Sequence, residues 1–374
     1  MKALFVATVQ SHIAQFHLGA MKLLKDQGYE VHVATKDNLN EKNGLSLENV
    51  DCVFDIPFDR SPFSKKNIGA YKKLKKLINQ EEYDIIHCNT PVGGLLTRIA
   101  ARKSKGCVIY TAHGFHFYKG APLKNWIIYY PIEKFLSRWT DRLITITNED
   151  YDLASKKFKC PVYHVHGVGV KTKKYDSVDE KYLNDFKRKN NLENKFVMLC
   201  TGELNANKNQ STLIESMKDV VKNIPNAVLL LAGNGPMQKD LSEKISKLDL
   251  DKNVVLLGYR TDLEWYVHAA DLILTASFRE GLPVNVLEAM YCQKPVIASN
   301  NRGHRELIAN GENGYLVDAK DNKEFSKKVI ELFNNNDLRR SMGTNGYKKV
   351  SNYTDINVKN ELKKIYNILK GENI

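Results

Sequence analysis

Short apolar, β-branched runs alternate with amphipathic stretches along almost the whole chain. In the first half the runs fall at residues 2–8, 30–35, 52–56, 84–88, 107–111, 142–146 and 162–165. In the second half they fall at 196–201, 227–232, 253–257, 271–275, 295–298 and 314–317. Helical patterns lie between them at 14–27, 66–79, 93–103, 123–138 and 149–157, and later near 209–223, 236–248, 262–269, 283–291, 304–309, 321–334 and 337–350. A buried strand followed by a crossover helix is the βαβ unit, which builds parallel sheets. The alternation occurs twice around a polar, charged break at 171–195, and 374 residues suffice for two cores. Two doubly wound α/β domains follow, residues 1–175 and 176–374. Such domains bind ligand outside the carboxyl ends of their strands, here across a shared central cleft. A last helix, 355–370, carries Val358, Leu362, Ile365, Tyr366 and Leu369 on one stripe and is expected to pack back toward the first domain.

Charge is unevenly placed. Residues 1–175 hold 27 Lys/Arg against 16 Asp/Glu, a net of +11, whereas 176–374 hold 29 against 27, a net of +2. The first half therefore faces something anionic: nucleic acid, a membrane surface or a phosphorylated substrate. The six cysteines form no Cys-x-x-Cys pair and read as buried, reduced thiols in a cytoplasmic protein. The run at residues 2–8 is too brief for a signal peptide and reads as the first strand. No run approaches ~18 apolar residues, so any membrane contact is peripheral.

The most informative stretch is Ser277-Phe-Arg-Glu-Gly-Leu-Pro-Val-Asn-Val-Leu-Glu-Ala-Met290, directly after the strand at 271–275. Glu280 lies in the turn, Gly281 relaxes the backbone and Pro283 suits the first turn of a helix. The N–H groups of Gly281 and Leu282 suit a phosphate at the helix N-terminus. A carboxylate in the turn can accept sugar hydroxyls, and Glu288, two turns on, can accept the hydroxyls of a ribose. Two glutamates so placed suit a nucleotide-diphosphate sugar.

This Glu-x7-Glu run, with Lys294-Pro-Val-Ile-Ala298 after it, resembles the retaining glycosyltransferases of family 4, which have the two-domain GT-B fold. Thr201-Gly-Glu-Leu-Asn-Ala-Asn-Lys-Asn-Gln210 resembles the family's diphosphate-binding loop. The resemblance gives Gly202 and Lys208 to the donor, with Glu203 standing where an Arg is usual. Arg279 or another residue would then compensate. Ala232-Gly-Asn-Gly-Pro236 resembles the turn beside the nucleotide, giving Asn234 and Gly235, and Leu257-Gly-Tyr-Arg260 the segment near the base, giving Tyr259 and Arg260. In Asn301-Arg-Gly-His-Arg-Glu306 and Asn310-Gly-Glu-Asn-Gly-Tyr-Leu-Val317 the glycines are read as chain reversals.

In the first half, Thr111-Ala-His-Gly-Phe-His-Phe117 is similar to the segment whose histidine lies near the donor sugar. His113 takes that place, with Glu280 and Lys208 as its catalytic companions. Gln10 to His17 reads as a loop, without the Gly-Gly pair many relatives carry, and places His12 and His17 on the acceptor side with His116.

The resemblance implies transfer from a nucleotide sugar, UDP favoured, to a polyprenyl-diphosphate-linked saccharide in capsule or exopolysaccharide synthesis. It implies no required metal and no cofactor. Two basic, apolar stretches fit a peripheral site on the inner membrane face: Lys65 to Ile78, and Lys119 to Arg142 with its Trp, Tyr, Ile and Phe side chains. Two alternatives stand beside this reading. A GT-B nucleotide-sugar epimerase would need catalytic acids that the sequence does not mark. A nucleic-acid-binding protein would use the basic half, but no recognition helix or zinc finger accompanies it.

Overall fold

The computed structural model describes residues 1–41, 45–176 and 178–367. The apolar runs all form strands, in a seven-stranded and a six-stranded sheet. The chain divides into two compact units, residues 1–168 with the described residues from 355 on, and residues 169–354.

The first unit runs β1 (Lys2–Val9), α1 (Gln10–Phe16), α2 (Leu18–Asp26), β2 (Glu30–Lys36), β3 (Cys52–Asp55), α3 (Lys66–Glu81), β4 (Ile85–Asn89) and α4 (Pro91–Ala101). It continues with β5 (Cys107–Ala112), α5 (Leu123–Leu136), β6 (Arg142–Thr145), α6 (Asn148–Lys157) and β7 (Val162–His164). Its sheet is parallel, in the order β3-β2-β1-β4-β5-β6-β7. The order reverses between β1 and β4, so the loops after these two strands diverge and open a crevice.

The second unit runs α7 (Thr172–Tyr175), α8 (Glu180–Lys189), β8 (Phe196–Thr201), α9 (Gln210–Asn223), β9 (Ala227–Ala232), α10 (Gln238–Lys247), β10 (Val254–Gly258) and α11 (Leu263–Ala269). Then come β11 (Leu272–Thr275), α12 (Val284–Tyr291), β12 (Val296–Ser299), α13 (Arg302–Leu307), β13 (Gly314–Val317), α14 (Asn322–Asn334) and α15 (Asn336–Val350). Its parallel sheet has the order β10-β9-β8-β11-β12-β13 and reverses between β8 and β11. Each sheet is covered on both faces, which explains why strands such as Ala227–Ala232 are buried throughout rather than alternately.

The structure corrects the expectations in three places and locates the last helix. The division falls at 168/169, not 175/176, because Val170 and Tyr175 are buried in the second unit's core and the Val170 N–H donates to the Tyr353 carbonyl at 2.8 Å. α16 (Asp355–Asn367) belongs to the first unit, where Val358, Ile365 and Tyr366 are buried. Residues 368–370, with Leu369, lie outside the described residues. The helix expected over 14–27 is two helices broken at His17, and the expected loop at 10–13 is already helical. No glycine is needed there, because the Asn38 side chain accepts from the Ser11 N–H (2.9 Å) and so satisfies a first-turn donor of α1. Finally, Cys52 is exposed, on the edge strand β3, unlike the buried Cys88, Cys160 and Cys200.

Buried polar contacts anchor α16, from Arg142 to the Ile365 carbonyl and from His87 to Tyr366. The Tyr366 hydroxyl pairs with His87 Nδ1 at 2.7 Å, and His87 Nε2 pairs with Thr111 Oγ1 at 2.7 Å. Tyr366→Phe leaves a buried ring nitrogen unpaired, so it is expected to cost ~1–3 kcal/mol in urea unfolding. A cost near zero would show that water or another group replaces the hydroxyl.

Candidate active site

The switch point of the second sheet gathers two loops. The loop after β8 carries Lys208 and the loop after β11 carries Glu280. Their side chains form an ion pair, Lys208 Nζ to Glu280 Oε1, at 2.6 Å, and both are largely buried. Backbone and asparagine contacts fix the two loops together. The Phe278 N–H donates to the Asn207 carbonyl (2.8 Å), Asn207 Nδ2 to the Arg279 carbonyl (3.0 Å) and Asn209 Nδ2 to the Ala276 carbonyl (3.2 Å). Beneath them, Asn301 Nδ2 donates to the Ser277 carbonyl (2.8 Å). Gly303 does not reverse the chain as expected. It lies in α13, and a Cβ there would stand 2.5 Å from the Gly281 carbonyl oxygen and 2.8 Å from Glu280 Cβ. The glycine lets a helix touch the Glu280 turn.

The other expected donor residues lie on the loops after β8, β9, β10 and β11 and on α12. Gly202 ends β8 with φ +146°, and a Cβ there would meet Lys208 Cε at 3.3 Å. The loops after β8, β9 and β10 are tied in sequence: Leu204 N–H to the Asn234 carbonyl at 3.0 Å, and Gly233 N–H to the Gly258 carbonyl at 2.8 Å. Gly235 sits so close to Leu204 that a Cβ would stand 2.3 Å from its carbonyl oxygen. Asn234 and Tyr259 are exposed, while Arg260 holds Asp262 with two hydrogen bonds of 2.8 and 2.6 Å. Glu203 is exposed, and its carboxylate accepts from Asn205 Nδ2 at 3.1 Å. α12 starts at Val284, so Gly281 and Leu282 lie in the bend before it, and Pro283 occupies the capping position.

Glu288 stands on α12, where burial pushes its carboxyl up from the usual range despite a hydrogen bond from the Tyr175 hydroxyl. Tyr175 was missed by the sequence reading, which treated 171–195 as linker and surface helix. Its signal was an aromatic residue directly after the run Lys171-Thr-Lys-Lys174. His304 was also missed as a site component. It is fully buried on α13, its Nδ1 contacts the Ser299 carbonyl at 2.6 Å, and burial pulls its pKa down to about 4.

At the carboxyl edge of the first sheet, histidines converge. His12 stands on α1, His17 between α1 and α2, and His113 just after β5. His17 Nε2 and His113 Nε2 are 3.2 Å apart, and the His12 ring lies edge-on to His113 with centroids 4.7 Å apart. Their ring nitrogens lie within 4.8 Å of one another, a set able to hold a metal ion; Glu30, His32 and Cys52 form the other such group among the described residues. Burial lowers the pKa of His113 to about 4 and of the adjacent His87 to about 3, and holds His12 and His17 well below the usual value, with further lowering by His113. The cluster is therefore neutral at pH 7, able to donate and accept hydrogen bonds at once. His116 does not join it. Its ring stacks on Tyr129 of α5, with centroids 4.6 Å apart.

Comparison with known proteins follows this geometry. The family described as Glycosyl transferases group 1 matches residues 183–349, and that described as Glycosyl transferase 4-like matches residues 2–148. EpsD of Bacillus subtilis is 42% identical over 373 residues, covering 98% of this chain and 96% of that one. An Escherichia coli UDP-Gal:alpha-D-GlcNAc-diphosphoundecaprenol alpha-1,3-galactosyltransferase is 28% identical over 368 residues, covering 96% and 91%. Among solved structures, Anabaena HepE in complex with UDP superposes with a TM-score of 0.78 at 21% identity, covering 100% of both chains. WaaG, of lipopolysaccharide biosynthesis, superposes with a TM-score of 0.73 at 16% identity, again over 100% of both.

The histidine cluster makes stability depend on pH. The unfolded chain protonates His113 near 6.5, whereas the folded chain refuses the proton until about 4. Its contribution is therefore complete above pH 6.5 and is lost as pH falls toward 4. Between pH 7.5 and 5 this amounts to about 2 kcal/mol. In His113→Gln the fall in unfolding free energy between these pH values should shrink by about that amount. An equal fall in both proteins would mean that His113 is charged in the native state.

Proposed function

The chain belongs to the group 1 glycosyltransferases, and on that premise we propose that it is a retaining, family 4 enzyme moving a sugar from a UDP-sugar to a saccharide carried on a polyprenyl diphosphate. The observation that carries the donor assignment is the Lys208–Glu280 pair at the switch point of the second sheet. A nucleoside diphosphate bound beside Lys208 has its leaving charge stabilised as the sugar–phosphate bond breaks. The Gly281 and Leu282 N–H groups lie in the adjoining bend, and Glu288 suits the ribose hydroxyls. The UDP and UDP-glucose complexes of Anabaena HepE support a uridine nucleotide.

Glu280 is assigned to binding and orientation. A carboxylate 2.6 Å from an ammonium is a weakened nucleophile, but its second oxygen can still accept a sugar hydroxyl. His113 contributes a neutral ring that can donate to or accept from a hydroxyl. The acceptor class is supported by the E. coli relative's diphosphoundecaprenol substrate, and the setting in capsule or exopolysaccharide synthesis by EpsD and by the capsular polysaccharide glycosyltransferase CapM of Staphylococcus aureus.

A membrane-surface location is supported by one face of the first unit. No helix among the described residues is long and apolar enough to cross a membrane. α5 packs Trp126, Tyr129 and Tyr130 on the core yet exposes Leu123, Ile127, Ile128, Ile132 and Phe135. α3 buries Ala70, Leu74, Leu77 and Ile78 and turns Lys72, Lys73, Lys75 and Lys76 to solvent.

Lys208→Ala is expected to lower kcat on the order of a hundredfold or more with the fold intact, and Glu280→Ala to lower transfer comparably. A panel of UDP- and GDP-sugars read by thermal stabilisation identifies the donor. Full transfer by both variants would sink the assignment. Binding to phosphatidylglycerol vesicles should weaken with salt and with Lys72, Lys73, Lys75 and Lys76→Glu, at about 1 kcal/mol per lysine facing the lipid. Equal binding by the variant would remove α3 from the membrane face.

A further inference from the structure

A cavity of about 490 Å³ opens in the first unit beside the histidine cluster. It is amphiphilic. Thr8, His12 and Thr90 line it at the carboxyl ends of β1 and β4, with the exposed Arg60 on another side. Phe63, Leu95 and Ile132 are among its apolar lining. Thr8 and Val92 are buried and form its floor, whereas Phe63, at 83% exposed, and Ile132, at 41%, stand where it meets solvent.

Three details at the polar end point to an anionic ligand. Pro91 starts α4 at the cavity wall, so the positive end of an 11-residue helix faces this space. Thr90 is held at φ +64°, an unusual value for a β-branched residue, by Thr8, whose N–H donates to Thr90 Oγ1 at 3.0 Å and whose hydroxyl lies 2.7 Å from it. His12 Nε2 is buried with no hydrogen-bond partner among the described residues. The one carboxylate in the lining, Glu133, is already neutralised by buried Arg98 at 2.8 Å. Arg60 thus stays the uncompensated ionic charge there.

We propose that this cavity holds the diphosphate-proximal isoprene units of the acceptor lipid, with the diphosphate between Arg60 and the N-terminus of α4. The inference rests on the reading of the acceptor as polyprenyl-diphosphate-linked. The volume suits a short stretch of the chain rather than the whole lipid. The remainder would leave past Phe63 and Ile132, where the cavity meets solvent. A soluble sugar phosphate would use the polar end but would have no use for the apolar wall.

The test uses the full chain with saturating UDP, which fills the donor site. Farnesyl diphosphate, below its micellar concentration, and methyl diphosphate are titrated by calorimetry. Farnesyl diphosphate is expected to bind on the order of tenfold or more tighter than methyl diphosphate, and Phe63→Ala and Ile132→Asp should each remove much of that difference. Both side chains are exposed, so neither change threatens the fold. Leu123→Asp, on α5 but outside the cavity, should leave binding unchanged. Equal binding of the two diphosphates, or a loss in Leu123→Asp as large as in Ile132→Asp, would overturn the proposal in favour of adsorption to the helix. UDP binding itself, and its weakening in Lys208→Ala, reports separately on the donor reading.

Discussion

Two neighbouring parallel strands that send their following helices to opposite faces of a sheet leave a gap at their carboxyl ends that no helix can fill. The chemistry of this protein is arranged around that constraint, once in each unit. After β1, Ile13 of α1 joins one core, and after β4, Ala100 of α4 joins the other. After β8, Leu213 of α9 packs on one face, and after β11, Val286 of α12 packs on the opposite one. Lys208 and Glu280 stand on the two loops flanking the second gap, while His12, on the helix that follows β1, and Thr90, between β4 and α4, flank the first. Parallel pairing demands that both faces be covered. The sheets are therefore rigid, while the loops at their edges are free to carry polar groups.

The two gaps handle charge in opposite ways. In the second unit an ammonium and a carboxylate are held together at 2.6 Å, and an arriving phosphate can compete for the lysine. In the first unit burial removes charge, and His12, His17, His87 and His113 stay neutral beside one another. One positive histidine in that group would repel the next, so the cluster is a set of neutral donors and acceptors. A leaving diphosphate needs cationic stabilisation, whereas sugar hydroxyls need oriented neutral partners. The assignment of donor and acceptor roles to the two units matches this difference.

Much of this was legible in the sequence, because a strand buried on both faces is a continuous apolar run and parallel sheets consist of such runs. The turn at Glu280 and the helix carrying Glu288 were legible from the strand, glycine and proline around them, while Lys208 was singled out by the resemblance of its loop. What escaped depends on contacts distant in sequence. The helix at Gln10 is completed by Asn38, 27 residues away, so local reading saw a loop without glycine. Gly303 looks like a turn residue until Gly281 is placed against it. Tyr175 lies in a Lys-rich break, and only the folded second unit brings its hydroxyl to Glu288. His116 follows His113 by three residues, yet the turn at Gly114, with φ +128°, separates their surroundings.

The uneven charge acquires a physical meaning from α5. A helix on a soluble sheet needs one apolar stripe, and α5 has that stripe in Trp126, Tyr129 and Tyr130. Leu123, Ile127 and Phe135 are exposed in addition, and water charges for them at about 25 cal/mol per Å² of apolar surface. Folding of this unit gains little from them. α3 and α5 flank α4 on the same face of the sheet, which sets exposed lysines beside exposed apolar side chains. Nucleic acid would use the lysines but not the isoleucines, and an apolar protein partner the reverse. On the membrane-surface reading proposed above, an anionic bilayer would use both, and an acceptor embedded in that bilayer would present its diphosphate at the depth where such a face comes to rest.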